Sequence, residues 1–250
     1  MEASVLYEEL RPGQFRRRIA EAPIAYLPLG TLEWHGEHLP LGADGLQSQG
    51  FFVRLARRVG GIVLPMLFFG PDRSYGDQQP PLYGMDVCRQ QPGEPGYYRS
   101  GQLAGSAYWV PDETFAALLD GIVAQLARAG FRIVVGHGHG PSTIHFGEQA
   151  DRWRREHGLA CFTCWGSEAD EQGLGIQVDH AAMNETSLVM ALRPELVDMG
   201  ALPDDPDTWP RAIGGRDPRT EASPELGRRI IGKQLDRMEG ILREALAAPG

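Results

Sequence analysis

Short apolar runs alternate with amphipathic segments along this chain, and that alternation constrains its fold more than any other feature. Continuous apolar runs are typical of strands buried on both faces, and apolar residues at helical spacing are typical of helices that pack on a sheet. The predicted strands are 24–29, 61–69, 131–135 and 159–165, and the predicted helices are 47–59, 112–130, 143–157, 186–192 and 224–248. This order predicts an α/β fold with a mostly parallel sheet and helices on both of its faces.

Residues 70–110 break the alternation. The segment is rich in Gly, Pro, Gln and Tyr, and it is longer than a simple connection between two elements. Irregular segments of this length are usually functional in compact domains. We therefore expect a lid over a site or an arm at an interface.

The charge and composition exclude several classes of partner. The chain has 250 residues and a formal net charge of −9, which opposes nucleic acid or an anionic membrane as its main partner. No apolar run approaches the roughly 20 residues that span a bilayer. The first residues lack the basic and apolar regions of a signal peptide, and three cysteines cannot form a disulfide framework. We therefore expect a cytoplasmic protein that binds neither nucleic acid nor membrane.

Five potential metal ligands follow the first predicted strand. They are Glu33, His35, Glu37, His38 and Asp44. In an extended segment Glu33 and His35 lie on one face, because strand side chains alternate, and Asp44 can return to that face after a Pro/Gly-rich turn. Mixed imidazole and carboxylate ligands suit Zn, Mn or Fe, and open sites of this type activate water. The alternative is a solvated polar loop, which five ligands in one loop disfavour.

Two further clusters follow later in the chain. His137 and His139 lie in a glycine-rich turn after the third predicted strand, where glycine lets a ligand approach closely, although either could be a capping or solvated residue. His180 and Glu185 precede a predicted helix, where Glu185 could simply be a carboxylate that the helix dipole favours. In parallel sheets, ligands bind beyond the carboxyl ends of the strands. We therefore expect the histidine-rich segments to meet at that edge.

Together the three clusters resemble the creatininase (creatinine amidohydrolase) family. The resemblance rests on residues 27–44, LPLGTLEWHGEHLPLGAD, and on residues 179–198, DHAAMNETSLVMALRPELVD. Gly-His-Gly after a strand, Gly-Arg-Asp-Pro at 215–218 and Glu-Leu-Gly at 225–227 reinforce it. The resemblance covers nearly the whole chain apart from 70–110.

The resemblance implies a fold and a metal centre. The fold is a three-layer α/β/α sandwich, in which residues 1–250 form one domain with an irregular insertion or arm at about 70–110. The centre holds one or two divalent ions, and Asp44 is the implied bridge between two of them. Carried over by motif position, the metal ligands are Glu33, His35, Asp44, His139 and Glu185.

The glycine turn can be aligned with the family in two ways. The family pattern Asn-Gly-His-Gly-Gly-Asn fits residues 137–142 best, which makes His139 the ligand. The other alignment makes His137 the ligand, with the same count of identical residues. Creatininase itself has a glutamate ligand two residues after this histidine, where this chain has Pro141. Glu185 is then the natural fifth ligand.

The implied activity is hydrolysis of a C–N bond by metal-activated water. The substrate would be a small-molecule amide, cyclic amide or formamide. The Trp-rich substrate wall of creatininase is not clearly reproduced, with Trp165 as its candidate remnant, so the resemblance does not imply creatinine itself. His180 resembles the family's catalytic loop histidine, and His180 or Glu37 would deliver a proton to the leaving nitrogen. The alternatives are a peptidase-like member that acts on a modified peptide and a non-catalytic metal-binding scaffold. The resemblance also implies a homo-oligomer, with a hexamer favoured.

Overall fold

The computed structural model describes residues 4–72, 74–77, 79–94 and 96–248. The strands in these ranges are Ile24–Leu29 (β1), Ile62–Val63 (β2), Gly70–Pro71 (β3), Trp109–Val110 (β4), Ile133–Gly138 (β5) and Ala160–Phe162 (β6). The helices are Pro12–Glu21 (α1), Ala43–Val59 (α2), Asp112–Arg128 (α3), Gly140–His157 (α4), Glu168–Glu171 (α5), Met183–Leu192 (α6), Pro218–Glu221 (α7) and Pro224–Ala247 (α8). Short 3-10 helices lie at Tyr7–Glu9, Gly84–Asp86, Pro194–Leu196 and Met199–Ala201. None of the described helices is long and apolar enough to cross a membrane.

A four-stranded parallel sheet forms the centre of the fold, in the order β2-β1-β5-β6. β1 and β5 are its central strands, and they pair from Ile24 opposite Ile133 to Leu29 opposite Gly138. Because the two strands run in the same direction, the loops that follow them leave from the same edge of the sheet. The predicted α/β fold with a mostly parallel sheet is confirmed.

Helices α2, α6 and α8 cover one face of this sheet. Tyr26 of β1 and Val135 of β5 point to this face. They belong to a core that includes Phe52 of α2, Leu188 of α6 and Ile230 of α8, each at most 1% exposed. Burial of an apolar side chain of this size contributes about 1.5–3 kcal/mol, so this layer fixes α2 and α6 firmly on the sheet.

Helices α3 and α4 cover the opposite face. Leu27 and Val134 point there, because successive side chains of a strand alternate between the two faces. They share a core with Phe115 of α3 and with Phe146 and Trp153 of α4, which are fully buried. The two helical layers and the sheet between them confirm the expected three-layer α/β/α sandwich.

Three helices begin about one turn earlier than predicted. The structure starts α2 at Ala43, α4 at Gly140 and α6 at Met183, whereas the apolar pattern starts them at 47, 143 and 186. The first turns of α2 and α6 carry the buried polar residues Asp44 and Glu185. Apolar periodicity therefore misses these turns, and they are the turns that face the polar cluster described below.

The strands also differ in length from their predicted ranges. β5 continues to Gly138, beyond the predicted end at 135, because its last residues still pair with β1. The predicted strand 61–69 is reduced to β2 and a single bridge between Leu67 and Leu29, with Pro65 between them, which has no N–H to donate to a ladder. The predicted strand 159–165 is reduced to β6.

A close approach of α6 and α8 makes a test of this packing possible. A Cβ atom on Gly227 of α8 would lie 1.9 Å from the Ser187 carbonyl oxygen of α6. We expect Gly227→Ala to lower the free energy of unfolding by at least about 2 kcal/mol, because the helices must separate. Gly232→Ala in the same helix is the control, since a Cβ there meets nothing within 4 Å. The control should raise stability by up to about 1 kcal/mol. Denaturant unfolding measures the free energy of unfolding of both variants. Equal changes in the two would contradict the close contact between α6 and α8 at Gly227.

Candidate metal centre

Five polar side chains from four places in the sequence meet beyond the carboxyl ends of β1 and β5. The loop after β1 supplies two of them, the first turns of α2 and α6 supply one each, and the residue that precedes α4 supplies the fifth. All five are buried, with at most 6% of each residue exposed. They are Glu33, His35, Asp44, Glu185 and His139.

His35 lies at the centre of this cluster. Its Nε2 is 3.5 Å from Asp44 Oδ1, 3.6 Å from Glu185 Oε2 and 4.0 Å from Glu33 Oε1. His139 Nε2 lies 3.9 Å from the same Glu33 oxygen. These separations are longer than good hydrogen bonds. Two ligand atoms each about 2.1 Å from a shared ion lie roughly 3–4 Å apart, so the spacing matches that of metal ligands.

The hydrogen bonds of His35 fix which of its nitrogens can bind a metal. His35 Nδ1 lies 3.2 Å from the Glu33 carbonyl oxygen. A carbonyl can only accept, so Nδ1 carries the proton and donates it. In the neutral ring Nε2 then holds the lone pair, and it is the atom that faces the three carboxylates.

Asp44 is oriented by a residue distant in sequence. The Gln177 side-chain nitrogen donates to the Asp44 backbone oxygen at 3.1 Å and to Asp44 Oδ1 at 3.2 Å. Ser48 Oγ donates to the Asp44 backbone oxygen and lies 2.8 Å from Gln177 Oε1. Carboxylate and carbonyl oxygens only accept, which decides that the amide nitrogen of Gln177 faces Asp44. Nothing in the sequence around Gln177 signals this role, because its partner is 133 residues away.

Local hydrogen bonds also hold Glu185 and His139. The backbone N–H of Ala181 donates to Glu185 Oε2 at 2.7 Å. Asp179 accepts from the backbone N–H of Glu185 at 3.1 Å and so caps the helix that carries it. His139 Nδ1 is 2.9 Å from Ser142 Oγ, which leaves Nε2 directed at Glu33. Supporting hydrogen bonds of this kind orient the ligands of metal sites.

The electrostatics of the cluster call for a positive charge among the carboxylates. Burial, reinforced by Asp44, raises the pKa of Glu33 well above its usual value, and burial raises the pKa of Glu185 to about 8 against the opposing effect of His35. For His35, burial lowers the pKa, but the carboxylates outweigh it and raise the pKa to about 10. Without another cation, the cluster must therefore bind protons to offset its own charge.

A divalent cation fits these residues. Within the described ranges, the buried atoms His35 Nε2 and Asp44 Oδ2 have no hydrogen-bond partner. Such atoms are costly to bury unless something binds them. One ligand atom from each of His35, Asp44 and Glu185 lies within 4.8 Å of the other two, and the same holds for Glu33, His35 and His180. Imidazole and carboxylate donors in this ratio suit Zn or Mn.

His180 lies beside the cluster. Its ring centroid is 4.5 Å from that of His35, and it lines the cavity described below. Its Nε2 is 2.9 Å from the Trp34 carbonyl oxygen, so Nε2 donates and Nδ1 holds the lone pair. Burial lowers the pKa of His180 to about 3, which keeps the ring neutral. A neutral imidazole with one free lone pair can accept a proton or bind a metal.

Three other predicted candidates lie elsewhere. Glu37 is exposed and is absent from the described residues that line the cavity, so its placement does not support a role in proton delivery. His38 is buried, and its Nε2 lies 2.8 Å from Thr186 Oγ1. His137 Nε2 contacts the Ile176 carbonyl oxygen at 3.0 Å, and its Nδ1 accepts from the Cys164 N–H at 3.3 Å. Both nitrogens of His137 are thus occupied, and only His139 of the two glycine-turn histidines reaches the cluster.

A cavity of about 760 Å³ opens above the cluster. Glu33, Asp44, His139, His180 and Glu185 form its floor, and Trp165 and Pro141 are on its wall. Segment 70–110, expected to be a lid or an arm, contributes further wall residues. They are Asp72, Tyr75, Gly84, Met85 and Arg89.

Comparison with known proteins agrees with this geometry. Residues 8–83 and 96–241 match the creatininase family, described as creatinine amidohydrolase. The chain belongs to the creatininase family. Creatinine amidohydrolase of Pseudomonas putida is 29% identical over 231 residues, which cover 82% of this chain and 78% of that protein.

Solved creatininase structures share the fold over almost the whole chain. A crystal structure of creatinine amidohydrolase (creatininase) has a TM-score of 0.74 at 25% identity and covers 99% of this chain and 100% of the other. A manganese form of creatininase has a TM-score of 0.73 at 25% identity, covering 98% and 100%. A mutant creatininase of Zn–Zn type has a TM-score of 0.73 at 25% identity, covering 99% and 100%.

The positions of the two glycine-turn histidines lead to a prediction. His139→Ala should weaken metal binding at least about 10- to 100-fold, which is the loss that removal of a group supporting a metal ligand causes. The reason is that Nε2 of His139 faces Glu33. His137→Ala should lower the melting temperature but leave the metal content of the folded protein unchanged, because both nitrogens of His137 bond to backbone. Elemental analysis of folded fractions measures both variants. The opposite ranking would assign the ligand to His137.

Proposed function

We propose that this protein is a metal-dependent amidohydrolase that cleaves the C–N bond of a small amide, cyclic amide or formamide. One observation carries the proposal. The Nε2 atom of His35 is buried without a hydrogen-bond partner in the described structure, and three carboxylates lie within 4.0 Å of it at the floor of an open cavity. Family membership and the manganese and zinc forms of related creatininases support the same function.

We assign the metal-binding role to the five residues of the cluster. They are Glu33, His35, Asp44, His139 and Glu185. Asp44 is the proposed bridge if two ions bind, since its Oδ1 faces His35 while its Oδ2 is unpartnered in the described residues. The helix dipoles at the starts of α2 and α6 favour the negative charges of Asp44 and Glu185. Zn or Mn is the expected metal, with Fe as the third ion that this donor set suits.

The residues of the cavity suggest how the chemistry would proceed. A bound divalent ion lowers the pKa of a water molecule towards neutrality and polarises a carbonyl group. His180 Nδ1 holds a lone pair over the cavity, because Nε2 donates to the Trp34 carbonyl oxygen. We propose that Nδ1 accepts a proton from the attacking water and returns it to the leaving nitrogen. The Trp34 carbonyl fixes the ring in the tautomer that this transfer requires.

Metal analysis and turnover test the proposal together. Protein purified without chelators should contain about one to two divalent ions per chain and should hydrolyse at least one member of a panel of cyclic amides, formamides and short peptides. Asp44→Ala should lose metal and activity. Cleavage of peptides alone would favour a peptidase-like activity. Full metal content without turnover would favour a non-catalytic scaffold, and a protein that binds no metal on reconstitution would contradict the proposal.

His180 provides a separate test of the proton-transfer role. His180→Ala should lower kcat by about 10²–10⁴-fold, which is typical for loss of a general acid–base group. Metal content should remain nearly unchanged, because the proposed ligands are the five residues of the cluster and do not include His180. Rate and metal content are measured on one preparation. Loss of metal would make His180 a ligand, and an unchanged rate would make it structural.

A further inference from the structure

Part of the cavity wall lies outside the ranges that match the family. The matched ranges are 8–83 and 96–241, so residues 84–95 fall between them. Gly84, Met85 and Arg89 of this stretch line the same cavity as the metal cluster. The cluster is built from matched residues, whereas this section of the wall lies outside the matched ranges. Such a section is where substrate selectivity can differ from that of relatives.

The beginning of this stretch is fixed by hydrogen bonds. Asp86 is 3% exposed, and its carboxylate accepts the backbone N–H of Tyr83 at 3.1 Å and of Leu103 at 2.7 Å. The Cys88 N–H donates to Ser100 Oγ at 3.0 Å. A buried carboxylate that accepts two backbone N–H groups holds the chain on both sides of it. Residue 89 therefore follows directly from an anchored segment.

Arg89 brings a positive charge to an acidic cavity. It is exposed and lines the cavity, which places it at the mouth. Arg89 is the one lysine or arginine among the described lining residues, and it forms no ion pair or hydrogen bond with any described side chain. Cationic side chains on cavity walls recognise anionic groups of ligands, and a guanidinium presents a fork that matches a carboxylate.

Two of the carboxylates that line the cavity are engaged with backbone N–H groups. Asp170 accepts the backbone N–H groups of Gly166 at 2.7 Å and Ser167 at 2.9 Å. Asp179 accepts the backbone N–H groups of Asn184 and Glu185. These two carboxylates are engaged in local turns and helix capping, and Arg89 has no ion pair or hydrogen bond with a described side chain, so its guanidinium can bind a ligand.

We propose that Arg89 binds a carboxylate of the substrate and makes this enzyme selective for amides that carry one. The inference rests on the proposed hydrolase function and names the substrate class for it. The substrate would place its amide over the metal cluster and its carboxylate at the mouth. A single guanidinium matches one monoanionic carboxylate in bidentate geometry. A phosphate dianion would carry more charge into a cavity that already holds several carboxylates, so the carboxylate is the better fit.

Matched substrates test this selectivity on the metal-loaded enzyme. Among the formamides, N-formylglycine carries the carboxylate, N-formylglycinamide is its neutral counterpart and N-formyl-2-aminoethyl phosphate is its phosphate counterpart. Among the cyclic amides, 5-oxoproline carries the carboxylate and its carboxamide is the neutral counterpart. Formate release or ring opening gives kcat and KM, and calorimetry gives Kd. The variants are Arg89→Gln and, as the matched control, Arg99→Gln. Arg99 is an exposed arginine of the same segment that lines a different cavity.

The expected result is about a tenfold lower KM for the carboxylate compounds than for their neutral counterparts in the wild type. Arg89→Gln should remove that difference by raising KM for the carboxylate compounds, and Arg99→Gln should retain the difference and leave kcat, metal content and melting temperature unchanged. The inference would be overturned if the wild type had equal KM values for both kinds of compound or preferred the phosphate. It would also be overturned if Arg89→Gln weakened binding of both kinds equally, or if no compound bound.

Two mixed outcomes separate this inference from the proposed function. Hydrolysis without carboxylate preference would support the hydrolase and overturn the role of Arg89. Binding of the carboxylate compounds that depends on Arg89, without release of product from any compound, would support the carboxylate site and count against the hydrolase.

Discussion

Three carboxylates and two imidazoles share a small buried volume, and the rest of the structure is arranged around that crowding. Charges of one sign repel each other strongly where water is excluded, so the cluster requires a cation, bound protons or both. Each carboxylate has a separate source of compensation. Asp44 and Glu185 lie in the first turns of α2 and α6, where helix dipoles favour anions, and Glu33 lies close to both His35 and His139. A divalent ion would neutralise the negative charge of the carboxylates that these dipoles and imidazoles leave uncompensated.

The core of the sandwich determines where the cluster can form. β1 and β5 remain paired through their last residues, and the His139 N–H then donates to the Leu29 carbonyl oxygen at 2.6 Å. The chains approach so closely here that a Cβ on Gly138 would lie 1.7 Å from that oxygen. Glycine is therefore required at 138, where φ is +152°. The close pairing brings the loop after β1 and the start of α4 side by side, and the cluster draws Glu33 and His35 from the loop and His139 from the residue before α4.

The sequence predicts the fold and much of the cluster, because strand alternation, helical spacing and the family motifs are all local patterns. Glu37 illustrates the limit of that reasoning. Alternation holds for Glu33 and His35, but a turn begins at Gly36, where φ is +72°, and it carries Glu37 to the surface while His38 returns to the interior. The contribution of Gln177 could not be predicted, since only folding brings it to a partner 133 residues away. The position of Arg89 on the cavity wall could not be predicted either, because an irregular segment has no periodicity from which to infer the direction of a side chain.

The division between matched and unmatched residues has a physical meaning for this enzyme. The residues that would hold metal and move protons must keep their separations within about 0.5 Å, so they lie on helix starts and on loops that the core and their hydrogen bonds fix. A group that selects substrates at the cavity mouth can vary without disturbing that framework. Residues 86–94 meet this condition, because the Asp86 carboxylate attaches them to residues 83 and 103, which lie outside the cluster. If the proposed function holds, a change of charge at residue 89 would alter which amide binds and leave the residues at the floor of the cavity in place.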